Sequence, residues 1–346
     1  MRSSNPASLA AWLAIAILPA CAMAQTGAAC APLPATKIAQ LRRAVEKNLT
    51  AASRAIDRVH TEGTLPHQGI WDQSIEAEKD WPLMRQLAQL WQAEHRPEDA
   101  AALSRLLSDW ARTYHPSFNP IDETNLDAYI DAYAIAREGL YPDAQALARQ
   151  FIQQLGEGYL QQMERGFKPG DGRWVNNWNA HRVKLATLAA AVLDDPGLWN
   201  RAHQAFVAHL GRNIRADGST LDFEERDALH YVVYDLEPLV RAAQVAQARG
   251  ENWLTVPGQS GSSLAAALDW LAPYARGDQT HQEFVHSHVK FDAQRDAAGV
   301  PGYSGQWNPA SSAQLFAMAG SLDSRYAALA QQLKPGSDVA PVCWPR

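Results

Sequence analysis

The sequence predicts an all-α protein, an (α/α) toroid of antiparallel helical hairpins forming one domain over residues 25–346. Three observations carry that expectation. Apolar residues recur at steps of three and four along most of the chain, and no run shows the period-two alternation with β-branched enrichment that marks a strand. Short breakers such as Tyr141-Pro142-Asp143, Asp195-Pro196-Gly197 and Asp217-Gly218 separate the periodic segments. About ten helices of roughly 12 to 25 residues joined by such turns make about five or six hairpins, and no fixed repeat period points to a solenoid instead.

The elements follow in order. Arg2, the apolar run Leu9–Leu18 and the small residues ending Ala22-Met23-Ala24 form a secretory leader over residues 1–24. That run is shorter than the roughly 20 residues a membrane span needs. Leu18-Pro19-Ala20-Cys21 is a rival lipid-attachment reading, with an atypical proline. Ile38, Leu41, Val45, Leu49, Ala52, Ile56 and Val59 predict one amphipathic helix over 38–59. Asp80-Trp81-Pro82 opens the next helix, and Pro97-Glu98-Asp99 opens a third that runs through Trp110. Further helices are expected at 123–139, 142–166, 174–194, 196–213, 224–249, 261–275 and 311–333. Two long stretches, 61–79 and 277–309, fit no hairpin turn and are expected to be the rims of a cleft.

Composition narrows the function classes. With 37 acidic and 31 basic residues the formal charge is −6, which argues against nucleic-acid binding. An apolar fraction of 47% excludes a disordered chain. After removal of the leader the remaining cysteines are Cys30 and Cys343, which in an exported protein predict one disulfide joining the termini; two free thiols are the alternative. The 12 tryptophans are in excess. Trp91, Trp110, Trp199, Trp253 and Trp270 fall in helical patterns as packing, whereas Trp71, Trp174, Trp178 and Trp307 sit where flat rings could line a sugar cleft.

Two segments concentrate polar chemistry. Gly172-Arg173-Trp174-Val175-Asn176-Asn177-Trp178-Asn179-Ala180-His181-Arg182-Val183-Lys184 leads into an almost wholly apolar run, so a buried inner helix opens with polar groups. Asn177 and His181 share a face of it. In the second segment Arg226, His230 and Tyr234 form one stripe with Tyr231 beside it. Asparagine, histidine and arginine suit the neutralisation of a uronate C6 carboxylate while its C5 proton is removed. A tyrosine can take that proton and return one to the departing O4, helped if neighbouring cations lower its pKa. Such a β-elimination needs neither metal nor cofactor. His286-Ser287-His288 is too weak a pattern to define a metal site.

Ala228-Leu-His230-Tyr231-Val-Val-Tyr234 resembles the Ala-Leu-His-Tyr-x-x-Tyr signature of the alginate lyase family with an α/α toroid fold. The Asn177/His181 segment and Asn119–Tyr133 also resemble that family, over about 119–243 in all. By position the resemblance implies Asn177, His181 and Arg226 on the carboxylate and Tyr234 as base and acid. Two departures mark a divergent branch. Asn177 precedes His181 by a turn where the family has them adjacent, and Asp227 holds the family's arginine place, with Arg226 one residue earlier. Arg173, Arg182 and Lys184 are substitute cations, and with Lys168 and Arg226 they would focus positive potential on the site. Substrate contacts are expected from Arg173, Trp174, Trp178, Lys184, His230, Tyr231, Asn125 and Tyr303. The second long loop further offers His286, His288 and Lys290.

The expected partner is an anionic polysaccharide, alginate or polymannuronate first and glucuronan second, handled by a periplasmic or secreted monomer with no membrane span. Two other classes stay open. One is a glycoside hydrolase using a carboxylate pair among Asp127, Asp131, Glu224, Glu225 and Asp227. The other is a non-catalytic sugar-binding protein that uses the tryptophans.

Overall fold

The computed structural model describes residues 32–259, 261–334 and 343–344. The leader, Cys21 and Cys30 lie outside the described residues. The helices are α1 (Ala35–Val45), α2 (Trp71–Glu78), α3 (Asp80–Glu94), α4 (Pro97–Thr113), α5 (Asp127–Ala136), α6 (Pro142–Gly166) and α7 (Asn177–Leu193). They continue with α8 (Pro196–Asn213), α9 (Leu221–Arg226), α10 (Leu229–Ala248), α11 (Leu264–Arg276), α12 (Lys290–Ala297), α13 (Ala313–Leu322) and α14 (Ala327–Leu333). Among the described residues there is no strand beyond two isolated bridges, Ile214 with Thr220 and Gln282 with Gln306.

These helices form an (α/α) toroid. Helices α3, α5, α7, α10 and α13 pack one on the next as an inner row, and each pairs with the helix that follows it in the outer layer, α4, α6, α8, α11 or α14. Burial explains the division. Every residue from Asn179 to Leu193 in α7 is buried, so this helix has no solvent face to offer. Local signals set its limits: the Asn176 side chain accepts from the Trp178 N–H at the start, and Asp194 at φ 53° ends it. Asp195 then caps Gly197 and Leu198, with Pro196 opening α8. Gly156 lets α6 approach α7 closely, since a Cβ there would lie 2.8 Å from the Ala189 Cβ. Among the described residues no helix is long and apolar enough to cross a membrane.

Three expectations about elements are corrected. The helix predicted over 38–59 ends at Val45 and a short 3-10 turn, and residues 51–60 have no regular secondary structure. Their polar partners come from other elements: the Arg54 N–H and Nη1 donate to Asp80 at 2.6 and 2.8 Å, and the His60 N–H donates to Ser74 at 2.8 Å. The helix predicted over 224–249 is split at Asp227, whose φ of 49° closes α9 before Ala228 runs extended into α10. Each long loop contains a helix, α2 in the first and α12 in the second.

Of the tryptophans, Trp81 and Trp110 are fully buried against each other at 5.1 Å. Trp199 and Trp253 share Glu251 as acceptor. Trp307 is buried in the core, so it packs rather than lines the cleft. Trp344 donates to the buried Asp131 at 2.8 Å, fastening the C-terminal segment to α5.

Candidate active site

Inside the inner row of helices lies a cavity of about 560 Å³, walled by α1, α3, α5, α7, α10 and α13. Its wall combines four basic residues, Lys37, Arg85, Lys184 and Arg241, with Asp127 and Glu237. His181 of α7 and Tyr234 of α10 line it side by side, ring centroids 4.4 Å apart. Two of the four proposed catalytic residues, one from each polar segment, thus come together.

Behind His181 runs a buried polar chain. The imidazole Nδ1 lies 2.6 Å from Thr124 Oγ1, while Nε2 is buried and has no hydrogen-bond partner among the described residues. Lys184 Nζ sits 2.9 Å from that same Oγ1, 2.8 Å from the Thr124 carbonyl and 2.7 Å from Asp127 Oδ2. Burial first, then the adjacent ammonium, pushes His181 well below its usual pKa, so the ring is neutral. Asp127 is lowered as well, against its own burial, because Lys184 and Arg85 together hold it below the carboxylate range.

On its other side Tyr234 has Tyr231, ring centroids 6.2 Å apart, and Tyr231 meets the second loop. Arg295 on α12 donates to the Tyr231 hydroxyl at 2.8 Å, and its guanidinium lies over the rings of Phe291 and Tyr303 at 4.4 and 5.1 Å. Burial pushes the Tyr234 phenol up, Tyr303 adds to that, and Arg295 pulls it back. This corrects the expectation of a lowered tyrosine pKa: desolvation outweighs the cation. Two further carboxyls titrate near neutrality, Glu237 on the cavity wall and Glu78 beside Asn125, both raised to about 7 chiefly by burial.

A family model described as Alginate lyase matches residues 31–281. The chain belongs to the alginate lyase family. A polysaccharide lyase of Stenotrophomonas maltophilia (strain K279a) is 31% identical over 130 residues, which are 37% of this chain and 38% of that protein. An alginate lyase from Bacteroides ovatus superposes with a TM-score of 0.63 at 16% identity, covering 89% of this chain and 92% of its own. Alginate lyase A1-III from Sphingomonas species A1 gives 0.52 at 16% identity over 70% and 77%. At these identities the structures show the fold.

Within this alginate lyase family member the remaining predicted residues divide into groups. Asn177 is buried at the start of α7, where its side-chain amide donates to Asp222 and its backbone N–H does so at 2.7 Å; it does not line the cavity. Arg226 is paired with Asp292 and lies 3.8 Å from the Tyr231 ring centroid. It therefore fastens α12 and does not line the cavity. Lys184 reaches the cavity wall, but its three protons have acceptors in Thr124 and Asp127. Arg182 lies over Trp174 at 4.2 Å and Trp178 at 5.8 Å and donates to the Arg173 carbonyl at 2.5 Å; neither tryptophan lines the cavity, contrary to expectation. Arg173 itself is exposed and paired with Asp171.

His230, Tyr231 and Tyr303 do come together, as an aromatic cluster with Phe284, which stacks on Tyr303 at 5.1 Å. Asp227, in the place where the family pattern has arginine, holds the second loop: its carbonyl accepts from Phe284 at 2.8 Å and its carboxylate from the His286 N–H at 2.9 Å. Glu283 in turn accepts from the Leu229 and His230 N–H groups at the start of α10. Sequence reasoning missed Arg295, Thr124 and Glu237. Glu237 stands three residues after Tyr234 and was legible as a neighbour on the same helix face; the other two carry no local signal. Among the described residues no three His, Cys, Asp or Glu side chains cluster to hold a metal ion.

Proposed function

We propose that the chain is a polyuronate lyase that cleaves by β-elimination, with alginate or polymannuronate as the first candidate substrate and glucuronan as the second. The observation that carries this reading is Tyr234 packed against a neutral His181 on the wall of a cavity rich in basic residues. A uronate polymer needs positive potential at its carboxylates and a base at C5; on the cavity wall four basic side chains stand against Asp127 and Glu237, and Tyr234 is placed as the base.

In the proposed step the Tyr234 oxygen takes the C5 proton, the C4–O4 bond breaks, a C4=C5 double bond forms, and the phenol proton passes to O4. Since burial holds Tyr234 protonated at rest, it must first lose a proton to water in the cavity, and the charge of Arg295, which is hydrogen-bonded to the neighbouring Tyr231, favours the phenolate. His181 serves as a neutral hydrogen-bond donor to developing negative charge. Arg295, which like Arg226 does not line the cavity, acts through its charge on Tyr234, and Arg226 and Arg295 share Asp292. Asn177 anchors the first turn of α7 on Asp222.

The hydrolase reading is weaker because its five carboxylates are committed elsewhere. Asp127 and Asp131 are bound to Lys184, Arg85 and Arg241, Glu224 to Arg215, Glu225 to Asn176, and Asp227 to the second loop. Export to the periplasm with a Cys30–Cys343 bridge is part of the proposal, supported by Cys343 being disulfide-bonded. Tyr234→Phe tests the base assignment. Loss of product formation with unchanged folding is expected, and full activity in the variant overturns it.

A further inference from the structure

Resting on that reading, we propose that Thr124 and Lys184 are positioning residues that lock His181 in the tautomer carrying its proton on Nε2. The argument is one of donor and acceptor accounting. A lysine ammonium only donates, so Thr124 Oγ1 at 2.9 Å from Nζ must accept from it. The threonine hydroxyl has one proton of its own, and its other close partner is His181 Nδ1 at 2.6 Å. That proton therefore goes to Nδ1, which becomes an acceptor. In a neutral ring the remaining proton then resides on Nε2. The opposite assignment, Nδ1–H donating to Thr124, leaves the buried hydroxyl proton without an acceptor among the described residues.

The register of Lys184 is itself fixed. Its second and third protons go to the Thr124 carbonyl and Asp127, so the ammonium cannot rotate away without orphaning a buried group. Thr124 sits in the 3-10 turn that leads into α5, and Lys184 and His181 are on α7, so the lock clamps two inner elements. The consequence is a division of labour. With Nδ1 capped, His181 has no lone pair to offer at Nε2 and cannot act as the C5 base. Its Nε2–H, unpartnered and buried at the cavity wall next to Tyr234, is a donor prepared for an anionic group.

The test is nitrogen-15 NMR of histidine-labelled protein, with the His181 signals assigned by their absence in His181→Gln. The wild type is expected to show the neutral Nε2–H pattern. Thr124→Ser should keep it, and both Thr124→Val and Lys184→Met should introduce the Nδ1–H form. In parallel, kcat on a polyuronate should fall about 10- to 100-fold in Thr124→Val with KM little changed, and return in Thr124→Ser. If Thr124→Val fails to fold, Lys184→Met and the serine variant carry the comparison. An Nδ1–H signal in the wild type, or an unchanged Nε2–H pattern in the folded valine and methionine variants, overturns the lock. A tautomer shift without any effect on β-elimination upholds the lock and overturns the role of His181 in the proposed function.

Discussion

Replacing Arg226 by alanine separates two roles that a cation at this position could have. Its ion pair with Asp292 is largely shielded, with side-chain exposures of 12% and 1%. Removing one partner of a buried pair costs about 3–5 kcal/mol, because the other charge is left desolvated and unpaired. Asp292 retains only the Ser287 hydroxyl at 2.7 Å and Arg295 at 4.0 Å. If about 3 kcal/mol of that loss falls on docking of the second loop, its opening equilibrium rises roughly a hundredfold. Hydrogen exchange should then quicken over residues 281–306, with α7 unchanged, and kcat should fall as Arg295 leaves Tyr231. Asp292→Ala in the same chain should restore part of the protection, since the orphan charge is gone. If Arg226→Ala abolishes turnover while exchange over 281–306 stays at the wild-type level, Arg226 acts on substrate directly and the fastening argument fails.

The other predictions concern charge. Glu237 on the cavity wall gains a charge as pH rises through about 7, so KM for a polyuronate should climb above that pH, and Glu237→Gln should flatten the climb. Because burial holds Tyr234 protonated, kcat should rise with pH through the neutral range; a kcat that falls there speaks against a tyrosine base. Asp235 is buried and its carboxyl is raised to about 7, above its unfolded value. The folded state thus holds the proton more tightly, and the melting temperature should drop as pH rises toward 7, with Asp235→Asn reducing the slope. Focused positive potential predicts that kcat/KM falls with salt, which steady-state kinetics at increasing ionic strength would check.

What was legible in the sequence was what local chemistry decides. Helix α6 coincides with the predicted 142–166 because Tyr141-Pro142-Asp143 starts it and an unbroken apolar pattern fills it. His181 and Tyr234 were legible because each lies in a polar cluster on an otherwise apolar inner helix. The segment 51–60 misled because Ala52, Ile56 and Val59 keep helical spacing, yet the backbone there is held by Asp80 and Ser74 from another element. Arg295 was hidden for a similar reason. It sits on a short helix within a long loop, and residues far away in sequence, Arg226 and Asp227 among them, bring it to Tyr231. Lys184 was visible as a base but not as a buried donor, since the acceptors Thr124 and Asp127 belong to a different inner element.

The central claim, β-elimination at Tyr234, is tested most directly by incubating the purified chain with alginate, polymannuronate and glucuronan and following the ultraviolet absorbance of the unsaturated uronate. The account predicts that at least one polymer generates that absorbance and that Tyr234→Phe, folded as the wild type, does not. Absence of the signal with all three polymers, or its persistence in the variant, would contradict it.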